Sequence, residues 1–402
     1  MRLPLPLPAM RVHVAPPSGI PDDRFDPEWA RSIVTRALGP MLDVWFRPDV
    51  HGAERIPEHG PVILAGNHSG NAFPYDAIML DALLWRRDGM TDGGKLRTVY
   101  EHQLSLAWWM RPFGIDDFWR RGGGVDMTFD NFDGLLRRGD RVLYFPEGVP
   151  GIGKGFNHRY ELQRFHTSFV RLAARHDAPV IPVHVVNGEW LHPFGYTVGF
   201  VDWLFQHVWL VPFLPLPIGL LAIVLPWFWF FAFPAHLVFV VDEPIDVRHV
   251  LSLVGAREPA NPDEVDVHRA TEEIRRRMQR GLHEGVARWG KSRFDLPGLW
   301  RAMRRARGRR WRATPAGWPL AFVRHERDRA RPPARNRLHA FLRDADLCFF
   351  YLPFGWPLLS LVRMLRRPPY GYRKLTAEQR AMREGRFVWR LGERPIPPRP
   401  SV

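Results

Sequence analysis

Val62-Ile63-Leu64-Ala65-Gly66-Asn67-His68-Ser69-Gly70-Asn71-Ala72-Phe73-Pro74-Tyr75-Asp76 carries an apolar strand, a turn and the start of a helix, in that order. Four consecutive apolar residues, Val62–Ala65, suit a short strand covered on both faces. Gly66 turns the chain, and a histidine and an aspartate follow. Asp76–Trp85 then has helical spacing, with Ile78, Met79, Leu80, Leu83 and Leu84 apolar. The same device recurs at Val142-Leu143-Tyr144-Phe145-Pro146-Glu147-Gly148, where a strand again delivers an acid and a glycine at its exit.

Outward from these two stretches the alternation continues. Leu96–Tyr100 reads as a strand, and so does Val180–Val186; His102–Trp109, Met127–Arg138 and Leu162–Arg175 read as helices. Asp26-Pro27-Glu28 opens an earlier helix with a cap, a first-turn proline and a first-turn acid, and Gly39-Pro40 should break or kink it. Asn261-Pro262-Asp263-Glu264 opens a helix that reaches about Trp289. Strands and helices in turn predict an α/β fold with a central, mostly parallel sheet flanked by helices. In such sheets ligands bind beyond the carboxyl ends of the strands, where His68, Asp76 and Glu147 fall.

Composition sets the limits. The 402 residues are 46% apolar, too many for a disordered chain. One cysteine, Cys348, rules out a disulfide framework and cysteine-ligated metal sites. No metal is expected, since the histidines show no ligand spacing such as HExxH. The net charge of +15 is uneven: residues 251–402 hold 34 Lys+Arg against 15 Asp+Glu, whereas residues 1–250 hold 23 against 27. A basic tail suits a polyanion, either nucleic acid or an anionic bilayer surface.

Two apolar stretches decide between those partners. Trp203–Val241 contains no charged residue, but Pro212, Pro215, Pro217, Pro226 and Pro234 forbid a straight spanning helix. His236–Val241 looks like a strand, so a chain that rejoins the sheet must return to the side it left. This favours a re-entrant or interfacial wedge over residues 203–235; the other reading is a buried apolar subdomain. Leu347–Val362 is a second apolar patch, bracketed by Arg343, Arg363, Arg366 and Arg367. Apolar surface beside arginine favours lipid over nucleic acid. The proline-broken N-terminus, Met1-Arg-Leu-Pro-Leu-Pro-Leu-Pro, does not suit a signal peptide. The expected organisation is an N-terminal extension (1–25), a core domain (26–290) with the apolar insert, and an Arg-rich membrane-associating extension (291–402). The expected location is the cytoplasmic face of the cell membrane.

Asn67-His68 with Asp76, then Gly114, Phe118 and Arg120 in GIDDFWRR, then Phe145-Pro146-Glu147-Gly148, then Val180-Ile181-Pro182-Val183, stand in the order of four known sequence blocks. The chain resembles the phospholipid/glycerol acyltransferase superfamily, which includes the lysophosphatidate acyltransferases, over roughly residues 30–290. Asp242-Glu243-Pro244-Ile245 resembles the family's usual ending. The chain departs from the family in one spacing. The common pattern of His, four residues and Asp would put the acid at Phe73. Here seven residues intervene, and Ser69-Gly70 resembles the longer insertion of related branches.

The resemblance implies transfer of a fatty acyl group from acyl-CoA or acyl-carrier protein to a glycerolipid hydroxyl, with a lysophosphatidate-type acceptor by default and no cofactor. His68 would be the general base and Asp76 its partner, with no covalent intermediate. An aspartate at position 76 could instead merely cap the helix. Asn67, Phe145, Pro146, Glu147 and Gly148 would line the substrate site, with a backbone N–H near Gly148 holding the developing oxyanion. Arg120, Arg121, Lys154, Arg159 and Arg164 would be candidates for acceptor or donor phosphates. A basic residue is usual after Glu-Gly, but Val149-Pro150 stands here, which opens the alternative of a neutral, diacylglycerol-type acceptor. A third reading, from another class, is a catalytically inactive membrane- or nucleic-acid-binding protein led by its basic tail.

Overall fold

The computed structural model describes residues 20, 23–69, 73–101, 118–201, 203, 215–306, 313–330 and 336–366. Its centre is a seven-stranded sheet made of β1 (Asp49–His51), β2 (Val62–Gly66), β3 (Arg97–Tyr100), β4 (Val125–Asp126), β5 (Arg141–Tyr144), β6 (Val180–Val186) and β7 (Val238–Val241). The spatial order is β1, β7, β6, β2, β5, β3, β4. Strands β6, β2, β5, β3 and β4 run parallel, and β7 pairs antiparallel to β6. The strand after the apolar insert therefore does rejoin the sheet, with Val183 opposite Val241.

The period of two along each strand sorts side chains to two faces. Val62 and Leu64 of β2, with Ile181, Val183 and Val185 of β6, face one core; Ile63, Ala65 and Val180 face the other. The first core is covered by α1 (Pro27–Ile33) and α2 (Tyr75–Arg87), and the second by α3 (Phe129–Arg137), α4 (Ser168–His176), α5 (Val247–Leu253) and α6 (Glu264–Trp289). The helix starts follow the capping residues. The Asp26 side chain accepts from the Trp29 N–H, and Asp263 accepts from the Asp266 N–H.

Two expectations are corrected. Gly39-Pro40 does not break the first helix; the chain passes through wide, π-helical turns at Val34–Leu38 and Met41–Phe46, and both residues stay helical. The helix expected from Leu162 begins only at Ser168, because the backbone N–H groups of Leu162 and Gln163 donate to the side chains of Gln279 and Glu147. The helix expected at His102–Trp109 lies outside the described residues, as does Gly114.

Part of the described chain beyond residue 290 packs into this core. Helix α7 (Leu296–Ala306) lies on the surface, but Trp318, Leu320, Phe322 and Val323 of α8 (Trp318–Ala330) are buried in the first core. Leu347, Phe350 and Trp356 join them, and the Trp356 ring stacks on Phe230. Buried Arg327 pairs with Asp344 and Asp346, which ties α8 to the segment that follows it. No helix among the described residues is long and apolar enough to cross a membrane.

Candidate active site

The register of β2 and β5 builds the site. Ala65 lies opposite Tyr144, so the chains leaving these parallel strands run side by side and bring residue 68 next to residue 147. The His68 N–H donates to Glu147 Oε1 at 2.9 Å. The His68 ring lies flat on Phe145, with centroids 4.2 Å apart and planes 12° apart. That stack depends on a glycine. A Cβ at Gly66 would sit 2.7 Å from Phe145 Cε1, inside contact distance. A Cβ at Gly151 would likewise press on the Cβ atoms of Glu147 and His68, at 2.5 and 3.0 Å.

Asp76 enters from the first turn of α2. Its Oδ2 accepts from His68 Nδ1 at 3.1 Å, from the Ser69 N–H at 2.9 Å and from Ser69 Oγ at 3.1 Å; its Oδ1 accepts from the Ala77 N–H at 2.8 Å. Burial pushes the Asp76 carboxyl up, but the His68 ring and the two backbone N–H groups outweigh it, so its pKa lies below the ordinary carboxylate value. The long spacing is thus no obstacle: the intervening loop folds back and the acid reaches the ring while also serving the helix start. The ring is held as a tautomer with Nδ1–H toward Asp76. Nε2 has no hydrogen-bond partner among the described residues, and the His68 side chain keeps 11% of its surface exposed. A neutral imidazole with one nitrogen oriented and the other open can take a proton from a bound hydroxyl.

The residues expected to line the substrate do different work. Asn67 is fully buried and extends the ladder beyond the end of β2: its Oδ1 accepts from the Val185 N–H at 2.7 Å and its Nδ2 donates to the Val185 carbonyl at 3.4 Å. The Pro146 carbonyl accepts from the His166 N–H. Glu147 is fully buried with both oxygens used, Oε1 by His68 and Oε2 by the Gln163 N–H at 2.7 Å, so it holds the histidine loop and not an acceptor. Gly148 has φ +58° and its N–H closes a turn on the Phe145 carbonyl, which removes it as an oxyanion donor.

Of the basic residues, Lys154 needs correction. Lys154 has no exposed surface and lies between Glu147 and Glu189, so it cannot meet a phosphate. Arg120 pairs with buried Asp126 at 2.8 Å. Arg121 pairs with Asp26 and Glu326 and covers the Trp29 ring, joining α1 to α8. Arg159 and Arg164 are exposed, the former over Phe156. The structure therefore brings together His68, Asp76, Phe145 and Glu147, with Lys154 behind them; the arginines serve other contacts or lie on the surface.

Ser69, Gln163 and Glu189 join the site beyond the residues its sequence motifs mark. Ser69 donates twice to Asp76, and a Cβ at Gly188 would strike its Oγ at 2.1 Å. Glu189 follows β6 as Glu147 follows β5, so the strand-then-acid pattern could have found it. Gln163 acts through its backbone, which leaves no mark in the sequence. Among the described residues no group of three His, Cys, Asp or Glu side chains could hold a metal ion.

Residues 47–186 match the Acyltransferase family model. Uncharacterized proteins of Mycobacterium tuberculosis strain H37Rv and Mycobacterium bovis are each 31% identical over 208 residues, covering 50% of this chain and 56% of theirs. One of Mycobacterium leprae is 30% identical over 208 residues, covering 54% of its own length. The chain thus spans little more than half the length of these relatives. A crystal structure of the 1-acyl-sn-glycerophosphate acyltransferase PlsC from Thermotoga maritima aligns with a TM-score of 0.36 at 17% identity, covering 65% of this chain and 80% of that one.

Proposed function

We propose, from the premise that residues 47–186 form a domain of the acyltransferase family, that the protein moves a fatty acyl group from a thioester carrier to a glycerolipid hydroxyl. The observation that carries this reading is the His68 Nδ1–Asp76 Oδ2 pair, with Nε2 left open beside two strand ends. In the proposed reaction His68 Nε2 accepts the proton of the acceptor hydroxyl as its oxygen bonds to the thioester carbonyl carbon. The tetrahedral intermediate collapses, the carbon–sulfur bond breaks, and the imidazolium returns the proton to the leaving thiolate. Asp76 fixes the tautomer and stabilises the imidazolium. The acceptor supplies the nucleophile, so no enzyme side chain is acylated. The carrier is acyl-CoA or acyl-carrier protein, and no cofactor takes part.

A lysophosphatidate-type acceptor is the default. A neutral acceptor of diacylglycerol type is the second reading, and specific observations favour it: Lys154 is enclosed by carboxylates, Arg120 and Arg121 already have carboxylate partners, and Val149 stands where a cation would follow Glu-Gly.

We further propose that the enzyme works at an anionic membrane surface without spanning it, on its cytoplasmic face. Leu220, Leu221 and Val224 are exposed on the helix Ile218–Val224, and Leu352, Phe354, Leu358 and Leu361 are exposed beside them, joined where the Phe354 N–H meets the Val224 carbonyl. Helix α7 exposes Leu296 and Trp300 alongside Arg301, Arg304 and Arg305. Exposed apolar groups interleaved with arginine suit an anionic leaflet. The test is purified protein with radiolabelled acyl-CoA and a panel of lysolipid and glyceride acceptors. Turnover that is lost in His68→Ala supports the reading, and no turnover with any acceptor overturns it.

A further inference from the structure

We propose that Lys154, Glu147 and Glu189 form a buried charge clamp that positions His68, with Lys154 the positioning residue and Glu189 the group that regulates its grip. As a mechanism for setting the base, this rests on the acyltransferase reading; as a structural device, it stands on its own geometry. All three side chains are fully buried. Lys154 Nζ lies 3.7 Å from Glu147 Oε2 and 3.9 Å from Glu189 Oε1, and it donates to the Glu161 carbonyl at 3.2 Å. Glu147 in turn accepts the N–H groups of His68 and Gln163, and Glu189 Oε1 accepts the Tyr160 N–H at 3.1 Å. One ammonium thus links the histidine loop, the 160–163 loop and the segment after β6.

A single cation cannot fully satisfy two buried carboxylates. Glu147 uses both oxygens as acceptors, Oε1 for the His68 N–H and Oε2 for the Gln163 N–H. Glu189 is the carboxyl that gives way. Its Oε2 has no partner among the described residues. Burial, with the Glu147 charge adding to it, pushes its pKa up to about 7 despite the Lys154 charge. Arg275 on α6 faces Glu147, while Tyr160, itself influenced by Arg293, faces Glu189. When Glu189 ionises it competes for Lys154, Lys154 serves Glu147 less, and the hold on His68 loosens. The catalytic loop is therefore tighter below neutrality than above it.

Amide hydrogen exchange of the intact protein, read by mass spectrometry on peptides containing His68 and Gln163, tests this without substrate. In Lys154→Met both amides should exchange at least about tenfold faster while β6 is unchanged. Unchanged exchange in folded Lys154→Met overturns the clamp. Should Lys154→Met fail to fold, Glu189→Gln decides. The wild-type amides, corrected for intrinsic rates, should loosen several-fold between pH 6 and 8.5, and those of Glu189→Gln should not. Identical profiles overturn the proposal. A wild type inactive on every acceptor would refute only the proposed reaction, since exchange needs no turnover. If turnover is present, Lys154→Met should lower kcat with KM nearly unchanged, and Lys154→Arg should restore most of it.

Discussion

Phe145 lies flat against His68, ring centroids 4.2 Å apart, and a Cβ on Gly66 would occupy the space its ring needs. The His68 side chain is thus set from three sides: the aromatic face beneath, Asp76 on Nδ1, and Glu147 on the backbone N–H. We expect Gly66→Ala to displace the Phe145 ring, lower stability by about 1–3 kcal/mol as overpacking does, and reduce kcat. Urea unfolding and steady-state kinetics on the same sample check both effects.

Asp76→Asn keeps the shape of the side chain but no longer fixes the tautomer or the imidazolium. A loss of kcat on the order of 10³-fold or more is expected, with KM little changed. Because the Asp76 pKa is depressed in the fold, its contribution to stability is present above the unfolded carboxylate pKa and disappears as the pH falls through the folded one. Wild-type Tm should therefore fall more steeply on acidification than that of Asp76→Asn, whose Tm-against-pH curve should have a flatter acid limb.

Glu189 has the opposite sign. Its folded pKa is raised from 4.5 to about 7, so its contribution is fully present below the unfolded value and is lost as the pH rises through 7. The raised pKa corresponds to roughly 3 kcal/mol. Glu189→Gln should remove much of the Tm decline between pH 6 and 8.5, as calorimetry can show.

Trp318 connects the C-terminal segment to the site. Its Nε1 donates to Tyr75 Oη at 2.9 Å, and Tyr75 donates to the Phe230 carbonyl at 2.6 Å, one residue from Asp76 in sequence. Trp318→Ala should cost about 3–5 kcal/mol as a large core deletion, and it should lower kcat in the fraction that stays folded. Denaturant titration together with activity at low denaturant separates the two effects.

Much of this was legible because strand exits are short and local. Gly66-Asn67-His68 and Phe145-Pro146-Glu147 each announce a strand end carrying polar groups, and parallel pairing then puts them side by side. The capping aspartates at 26 and 263 marked their helices for the same local reason. What the sequence hid was tertiary. Lys154 looks like any loop cation until the fold encloses it between two acids. Asn67 looks like a substrate ligand until its amide meets Val185. The start of the helix at Ser168 instead of Leu162 is set by side chains outside the segment, Glu147 before it and Gln279 far after it. Trp318 and Trp356 sit in an arginine-rich tail whose composition suggests surface, yet they complete the core against Phe230.

Removal of the acceptor hydroxyl's proton by His68 Nε2 is the step on which the proposed reaction turns. Its most direct test is acyl transfer from radiolabelled acyl-CoA to a lysophosphatidate or diacylglycerol acceptor, comparing wild type with His68→Ala of matched fold. We expect product from the wild type and a loss of at least about 10³-fold in the variant. Equal turnover by the two proteins would contradict it.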